Sequence, residues 1–237
     1  MQLPSDWMQQ LDHRGFTRIP DFLSHGECEA IAAYWDQAER FRNEIVMVRH
    51  GYGEGAYRYF SNPLPDAIDR LRHSAYPELA RLANIWQERL GLSSRFPPDL
   101  DDYLEECAAA GQSKPTPLLL RYEKGGFNRL HQDRYGEVAF PLQMVILLSR
   151  RGQERNDALE HGSDFSGGEL LLVEGRSRMQ SKATALTLDQ GEAVIFPNQI
   201  RPVEGARGYA RATVRHGVSE VRSGIRLALG LIFHNAS

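Results

Sequence analysis

A chain of 237 residues is long enough for one domain with a sizeable core. With 41% hydrophobic and 25% charged residues it has the composition of a folded globular protein. A net charge of -3 excludes the strongly basic balance of a protein held on long nucleic acid by phosphate contacts. The two cysteines, Cys28 and Cys107, form no CxxC pair, which argues against a disulfide framework or a zinc site and for buried small residues in a reducing compartment. "MQLPSDWMQQ" lacks a basic segment followed by an apolar run, and the longest apolar stretch, Leu227 to Phe233, is too short to span a bilayer. The expectation is a cytoplasmic protein without a membrane partner.

The first 115 residues read as mainly helical. Ser5 and Ser24 are expected N-caps, the second with Glu27 as a capping box ahead of a helix carrying Cys28, Ile31, Ala32 and Trp35 on one face. "FTRIPDFL", between them, reads as a short strand and turn. An amphipathic helix is predicted from about Asp66 to Leu90, with Leu71, Leu79, Leu82, Ile85 and Trp86 apolar and Gly91 as its stop. Another covers roughly Pro98 to Ala110. From Thr116 onward short apolar runs such as "PLLLRY", "GELLLVE", "EAVIF" and "IRLALGLIF" are separated by Gly, Asn, Asp and Ser, the pattern of consecutive antiparallel strands. About eight strands fit, which predicts an α+β chain: a jelly roll or closed barrel over 116–237, with the helices of 1–115 on one outer face, in a single domain over 1–237.

Within "RLHQDRYG", His131 and Asp133 stand two positions apart, so on a strand both point to one face and can share an ion. That spacing alone is weak. A third ligand strengthens it: His216 lies in the penultimate apolar run, and two histidines with one carboxylate form the facial triad that leaves open positions on a non-haem iron. Ten residues on, past an expected hairpin at Ser223-Gly224, Arg226 interrupts an otherwise apolar strand. A buried guanidinium calls for an anion, and a dicarboxylate would satisfy it.

The order His-x-Asp, then Gly167-Gly168-Glu169, then His216 and Arg226, resembles the Fe(II)- and 2-oxoglutarate-dependent oxygenase superfamily, whose core is a double-stranded β-helix of the cupin-like, jelly-roll type. "LLLRYEKGGFNRLHQDRYGEVAFPLQMVILL", "RSRMQSKA", "RPVEGARG" and "RHGVSEVRSGIR", with "GFTRIPDFL", "AYRYFSNPLP" and "RFPPDLDDYL" earlier, are similar to a bacterial family of these enzymes commonly labelled as acting in oxidative demethylation of damaged DNA. The chain departs from that family's pattern at Asn198, Gln199 and Ile200, where histidines stand. It also departs at Leu227 and Ala228, where His-Thr stands, and at Asn235, where Asp stands. The polar stretch between Ser149 and Phe165 is longer than the family's turn. The resemblance implies Fe(II) on His131, Asp133 and His216, 2-oxoglutarate with its far carboxylate on Arg226, O2 as co-oxidant, and release of succinate and CO2. Tyr122 is similar in position to a tyrosine that bonds the cosubstrate in prolyl hydroxylases; a barrel tyrosine tethered in the core is the other reading.

Arg134 and Tyr135 follow the motif and are candidates to line the substrate mouth, or to lie in a solvated turn. "RHGYGEGAYRYF" supplies Arg49, Tyr57, Arg58 and Tyr59, a composition suited to stacking a ring while meeting an anion, or simply a glycine-rich turn. His161 and His234 are expected to be exposed or capping rather than ligands. The expected partner is a small molecule, a nucleotide or a peptide, first an alkylated nucleobase or nucleotide and then a prolyl or other protein side chain or a metabolite. A jelly-roll metal sensor without turnover is the competing class, against which Arg226 argues.

Overall fold

The computed structural model describes residues 3–133, 135–155 and 158–237. The chain begins with α1 (Trp7–Arg14), β1 (Thr17–Ile19) and α2 (His25–Ala32). The capping box of α2 is present: Ser24 Oγ accepts from the Glu27 N–H, and the Glu27 carboxylate accepts from the Ser24 N–H at 2.8 Å. The start of α1 differs from expectation. Asp6, not Ser5, precedes the first turn, and it makes no side-chain cap because its carboxylate accepts from Gln10 at 3.0 Å.

Residues 41–60 also differ from the mainly helical reading, forming β2 (Phe41–Val46), β3 (Gly53–Glu54) and β4 (Ala56–Phe60). Aromatic and β-branched side chains favour the pleated form where a partner strand is available. That partner is β5 (Leu118–Glu123), which sequence separation hides; the pairing runs from Ala56 opposite Arg121 to Tyr59 opposite Leu118. Between them lie the expected helices, α3 (Asp66–Arg89) and α4 (Leu100–Ala109).

The remainder is strand: β6 (Phe127–His131), β7 (Leu142–Leu147), β8 (Glu154–Arg155), β9 (Ala158–Leu159), β10 (Phe165–Gly167), β11 (Leu170–Arg176), β12 (Lys182–Leu186), β13 (Ala193–Pro197), β14 (Ile200–Gly205), β15 (Gly208–Val218) and β16 (Val221–Ile232). These outnumber the eight expected, partly because the polar stretch after Ser149 carries the small β8–β9 pair. One sheet runs β1-β13-β7-β16-β5-β4-β2, with β10 also on β16. The facing sheet runs β12-β11-β15-β6-β3, with β14 also on β15. Two antiparallel sheets face to face make the jelly-roll sandwich that strands without intervening helices required. The turn before β16 is at Ser219-Glu220. Ser223 and Gly224 lie inside that strand, opposite Ser166 and Phe165 of β10, so the hairpin expected there is one strand entry too late.

Parity along the large sheet separates its two faces. Leu119, Leu227, Leu229 and Leu231 join Tyr76, Leu79 and Trp86 of α3 in the main core, so the helices cover the outer face. The alternate residues face the second sheet, where Phe165, Leu170, Phe196 and Val218 form an inner core. Cys28 and Cys107 are buried free thiols, as expected.

Arg72 of α3 is buried at 2% exposure and donates to the backbone oxygens of Ile232 (3.1 Å) and Phe233 (2.8 Å) and to Asn235 Oδ1 (3.0 Å). Burial lowers its pKa to about 10, so it keeps its charge at neutral pH. It fixes the end of β16 to the helical layer. Arg72→Met leaves those acceptors unsatisfied and is expected to cost about 3 kcal/mol, read as a lowered urea midpoint without a change in slope.

Candidate metal centre

Strand β15 carries His216 to the point opposite His131, the last residue of β6. The two imidazole centroids are 4.2 Å apart at 51°. Asp133 lies two residues beyond the end of β6, so strand parity is not what places it. Gln132 does so instead: its amide donates to the backbone oxygens of Gln199 (3.0 Å) and Val214 (2.9 Å), while Gln199 Nε2 donates to the Asp133 carbonyl (2.8 Å). Side-chain amides here take over from a β-ladder. Asp133 Oδ1 is 3.6 Å from His131 Nε2 and Asp133 Oδ2 is 3.3 Å from His216 Nε2. One ligand atom from each residue lies within 4.8 Å of the others.

This donor set fits a first-row divalent ion. His131 Nδ1 donates to the Arg129 carbonyl at 2.7 Å, which leaves the Nε2 lone pair directed to the shared point. Burial and the neighbouring His216 ring lower the His131 pKa, favouring the neutral ligand form. Burial pushes the Asp133 pKa up, but the field and hydrogen bond of His216, the field of His131 and the Tyr135 hydroxyl outweigh it, and the carboxylate is held well below its usual range. Tyr135 donates to Asp133 Oδ1 at 3.0 Å and accepts from the Tyr59 hydroxyl at 3.0 Å, a chain of two phenols that orients the carboxylate.

The site opens on a cavity of about 430 Å³, within the range of small-molecule pockets. Arg226 lines it at 2% exposure, with Nε donating to the Gly168 carbonyl at 3.0 Å. Among the described residues it has no ion-pair partner, so a buried guanidinium faces the cavity without a carboxylate. Gly168, in the left-handed region at φ 62°, explains the glycine there: a Cβ would lie 2.7 Å from Arg226 Cδ. Tyr122 is fully buried opposite Arg226, its ring 5.7 Å from the guanidinium carbon, and its hydroxyl accepts from Asn128 at 3.3 Å. Burial raises the Tyr122 pKa to about 12, so it stays a hydrogen-bond donor.

The other expected site residues divide by parity. Tyr57, Tyr59 and Tyr135 line the cavity. Arg58 does not: on the opposite face of β4 it donates to the Trp35 carbonyl at 2.6 Å and pairs with Glu44 at 2.5 Å. Arg49, in the short turn Met47–His50, is exposed and lies off the cavity. Arg134 lies outside the described residues. His234, expected to be exposed or capping, is fully buried, and its Nδ1 accepts a backbone N–H from Phe140 at 3.1 Å; burial lowers its pKa to about 4. Sequence reading missed Asn128 and Gln143 in the cavity wall. Gln143 carried the signal that exposed Arg226, a polar residue inside an apolar run, "FPLQMVILL".

Residues 55–236 match a family model described as "Oxygenase, catalysing oxidative methylation of damaged DNA". The chain belongs to this oxygenase family. It is 46% identical over 201 residues to the uncharacterized protein Rv2227 of Mycobacterium tuberculosis, covering 83% of this chain and 82% of that one. Its fold is that of a 2OG-Fe(II) oxygenase family oxidoreductase from Burkholderia pseudomallei (18% identity, TM-score 0.53, 100% and 96% of the two chains). A prolyl hydroxylase from Trichoplax adhaerens, in complex with a hypoxia inducible factor peptide fragment, shares that fold (15%, TM-score 0.55, 97% and 87%). This oxygenase is therefore an oxidoreductase, and its core has the double-stranded β-helix fold of those 2OG-Fe(II) oxygenases. Among the described residues no helix is long and apolar enough to cross a membrane.

If the two phenols orient the carboxylate, Tyr135→Phe weakens Mn(II) binding by about 10-fold, and Tyr59→Phe weakens it less. Titration calorimetry of the metal-free protein measures both.

Proposed function

We propose that this oxygenase couples oxidative decarboxylation of 2-oxoglutarate to hydroxylation or oxidative demethylation of an alkylated nucleobase or nucleotide. The observation that carries the reading is the His131–Asp133–His216 cluster at a cavity that also holds the unpaired Arg226 guanidinium. His131 and His216 would hold Fe(II) through Nε2 and Asp133 through a carboxylate oxygen. Three protein ligands leave positions for cosubstrate and O2. When bound, the ion supplies the redox chemistry that joins decarboxylation to insertion of oxygen into a C–H bond.

The chain's own groups do the rest. Arg226 binds the far carboxylate of 2-oxoglutarate through its planar fork, and Tyr122, whose hydroxyl already accepts from Asn128, donates its proton to the same cosubstrate. The inner core around Phe165, Leu170 and Phe196 keeps bulk water from that end, which strengthens the charge pair. A sensor that only stores metal has no use for a buried carboxylate clamp.

For the substrate, the family description and the aromatic wall of Tyr57 and Tyr59 support a base or nucleotide. The net charge of -3 favours a short single strand or a nucleotide over a long duplex. With an O2-derived oxidant the methyl group is removed rather than installed.

The expected result is substrate-stimulated succinate release with a methylated oligonucleotide, lost in His131→Ala to background. Arg226→Leu raises the KM for 2-oxoglutarate by about 100-fold, the scale of a buried charge-assisted pair. Bound iron without consumption of 2-oxoglutarate under any substrate would return the sensor reading.

A further inference from the structure

The cavity wall continues past the point where a five-carbon diacid anchored at Arg226 ends. On the paired strands β5 and β16, Arg226 stands opposite Tyr122 and Gly230 opposite Leu118. The two pairs are four residues, or about 13 Å, apart. The far half is lined by Tyr59, Leu118, Tyr135, Gln143, Gly230 and Ile232. Gly230 belongs to the same parity as Arg226, and a Cβ there would meet Leu118 Cδ2 at 2.8 Å, so its missing side chain lets Leu118 lie against the strand instead of projecting into the lobe.

The polar groups of this half are unequal. The hydroxyls of Tyr59 and Tyr135 are both committed to the chain that ends on Asp133. Gln143 is not committed in this way. It is 5% exposed and donates one N–H to Asn198 Oδ1 at 3.2 Å. Asn198, itself 2% exposed, is held in turn by its backbone N–H on the Pro141 carbonyl at 2.8 Å. Gln143 Oε1 has no partner among the described residues. An amide fixed from behind thus offers one acceptor and one donor to the cavity. Because Gln143 lines the cavity, a ligand that pairs this amide replaces solvent there with a fixed partner.

Charge narrows the ligand. Among the described residues lining the cavity, Asp133 is the only carboxylate, and its oxygens already face two imidazoles and a phenol. A cationic ring in the far half would be desolvated without a counter-charge.

Resting on the oxygenase reading above, we propose that the far half receives an uncharged base methylated on its exocyclic amine, and that Gln143 reads its adjacent N–H and ring nitrogen. This is the pairing an amide makes bidentately with adenine. The cationic, ring-methylated isomers of the same bases are excluded. In the reaction one atom of O2 enters a methyl C–H bond and the other enters succinate, with CO2 released. The N-hydroxymethyl group then loses formaldehyde and leaves N–H.

The test compares isomers of equal mass, N6-methyladenine against 1-methyladenine and N4-methylcytosine against 3-methylcytosine, each in a short single-stranded oligodeoxynucleotide, by succinate and formaldehyde release. The wild-type enzyme is expected to favour the neutral isomer at least about 10-fold in kcat/KM. Gln143→Leu lowers turnover of the neutral isomers by about 10- to 100-fold. Gln143→Glu, which adds the missing counter-charge, reverses the preference, a change that a merely structural glutamine would not produce. Gly230→Ala, which pushes Leu118 into the lobe, raises KM for the neutral isomers. Preference for the cationic isomers, turnover confined to a proline-containing peptide, or a Gln143→Glu ratio equal to wild type overturns the inference and leaves the oxygenase reading standing. Absence of any 2-oxoglutarate consumption by the wild-type enzyme overturns both.

Discussion

The site depends on one register. Because β15 lies antiparallel on β6 with His216 opposite His131, two imidazoles 85 positions apart in the chain come to 4.2 Å between centroids. A slip of one residue would turn either ring to the other face of the sheet and dissolve the cluster. The alternation of buried and exposed positions along β15 resists that slip, since Ala212, Val214 and His216 share the buried side.

Around that register the chain uses side chains where backbone pairing stops. Gln132 and Gln199 hold the segment beyond β6, the Tyr59–Tyr135 pair orients Asp133, and Arg72 ties the end of β16 to α3. Asn198 holds Gln143, Gln199 holds Asp133, and Asn235 accepts from Arg72.

Arg226 is the buried charge of the inner face: at 2% exposure it has one backbone acceptor, the Gly168 carbonyl. Burial lowers its pKa, with Tyr122 and Glu169 raising it in opposition. A buried guanidinium of this kind is a strong site for an anion, which is the physical basis of the role proposed for it.

Much of this was legible along the chain, because period and composition are local properties. The helices at Asp66 and Leu100, the change to strands after Thr116, the His131-x-Asp133 spacing, and a charged residue in an apolar strand at Arg226 could all be read from neighbours within a few positions; His216 came from the order of motifs along the whole chain. What could not be read are facts of pairing. The strands at 41–60 exist because β5 offers them an edge, the turn falls at Ser219 rather than Ser223 because β10 takes Ser223 into the sheet, and parity turns Arg58 out while turning Tyr57 and Tyr59 in. His234, Gln143 and Gln132 acquire their roles from partners 55 to 94 positions away. Local sequence determined which residues have the chemistry to bind metal and a dicarboxylate; only the packing of distant strands decided which of the remaining polar groups face the cavity, because orientation in a sandwich is set by the neighbour and not by the residue itself.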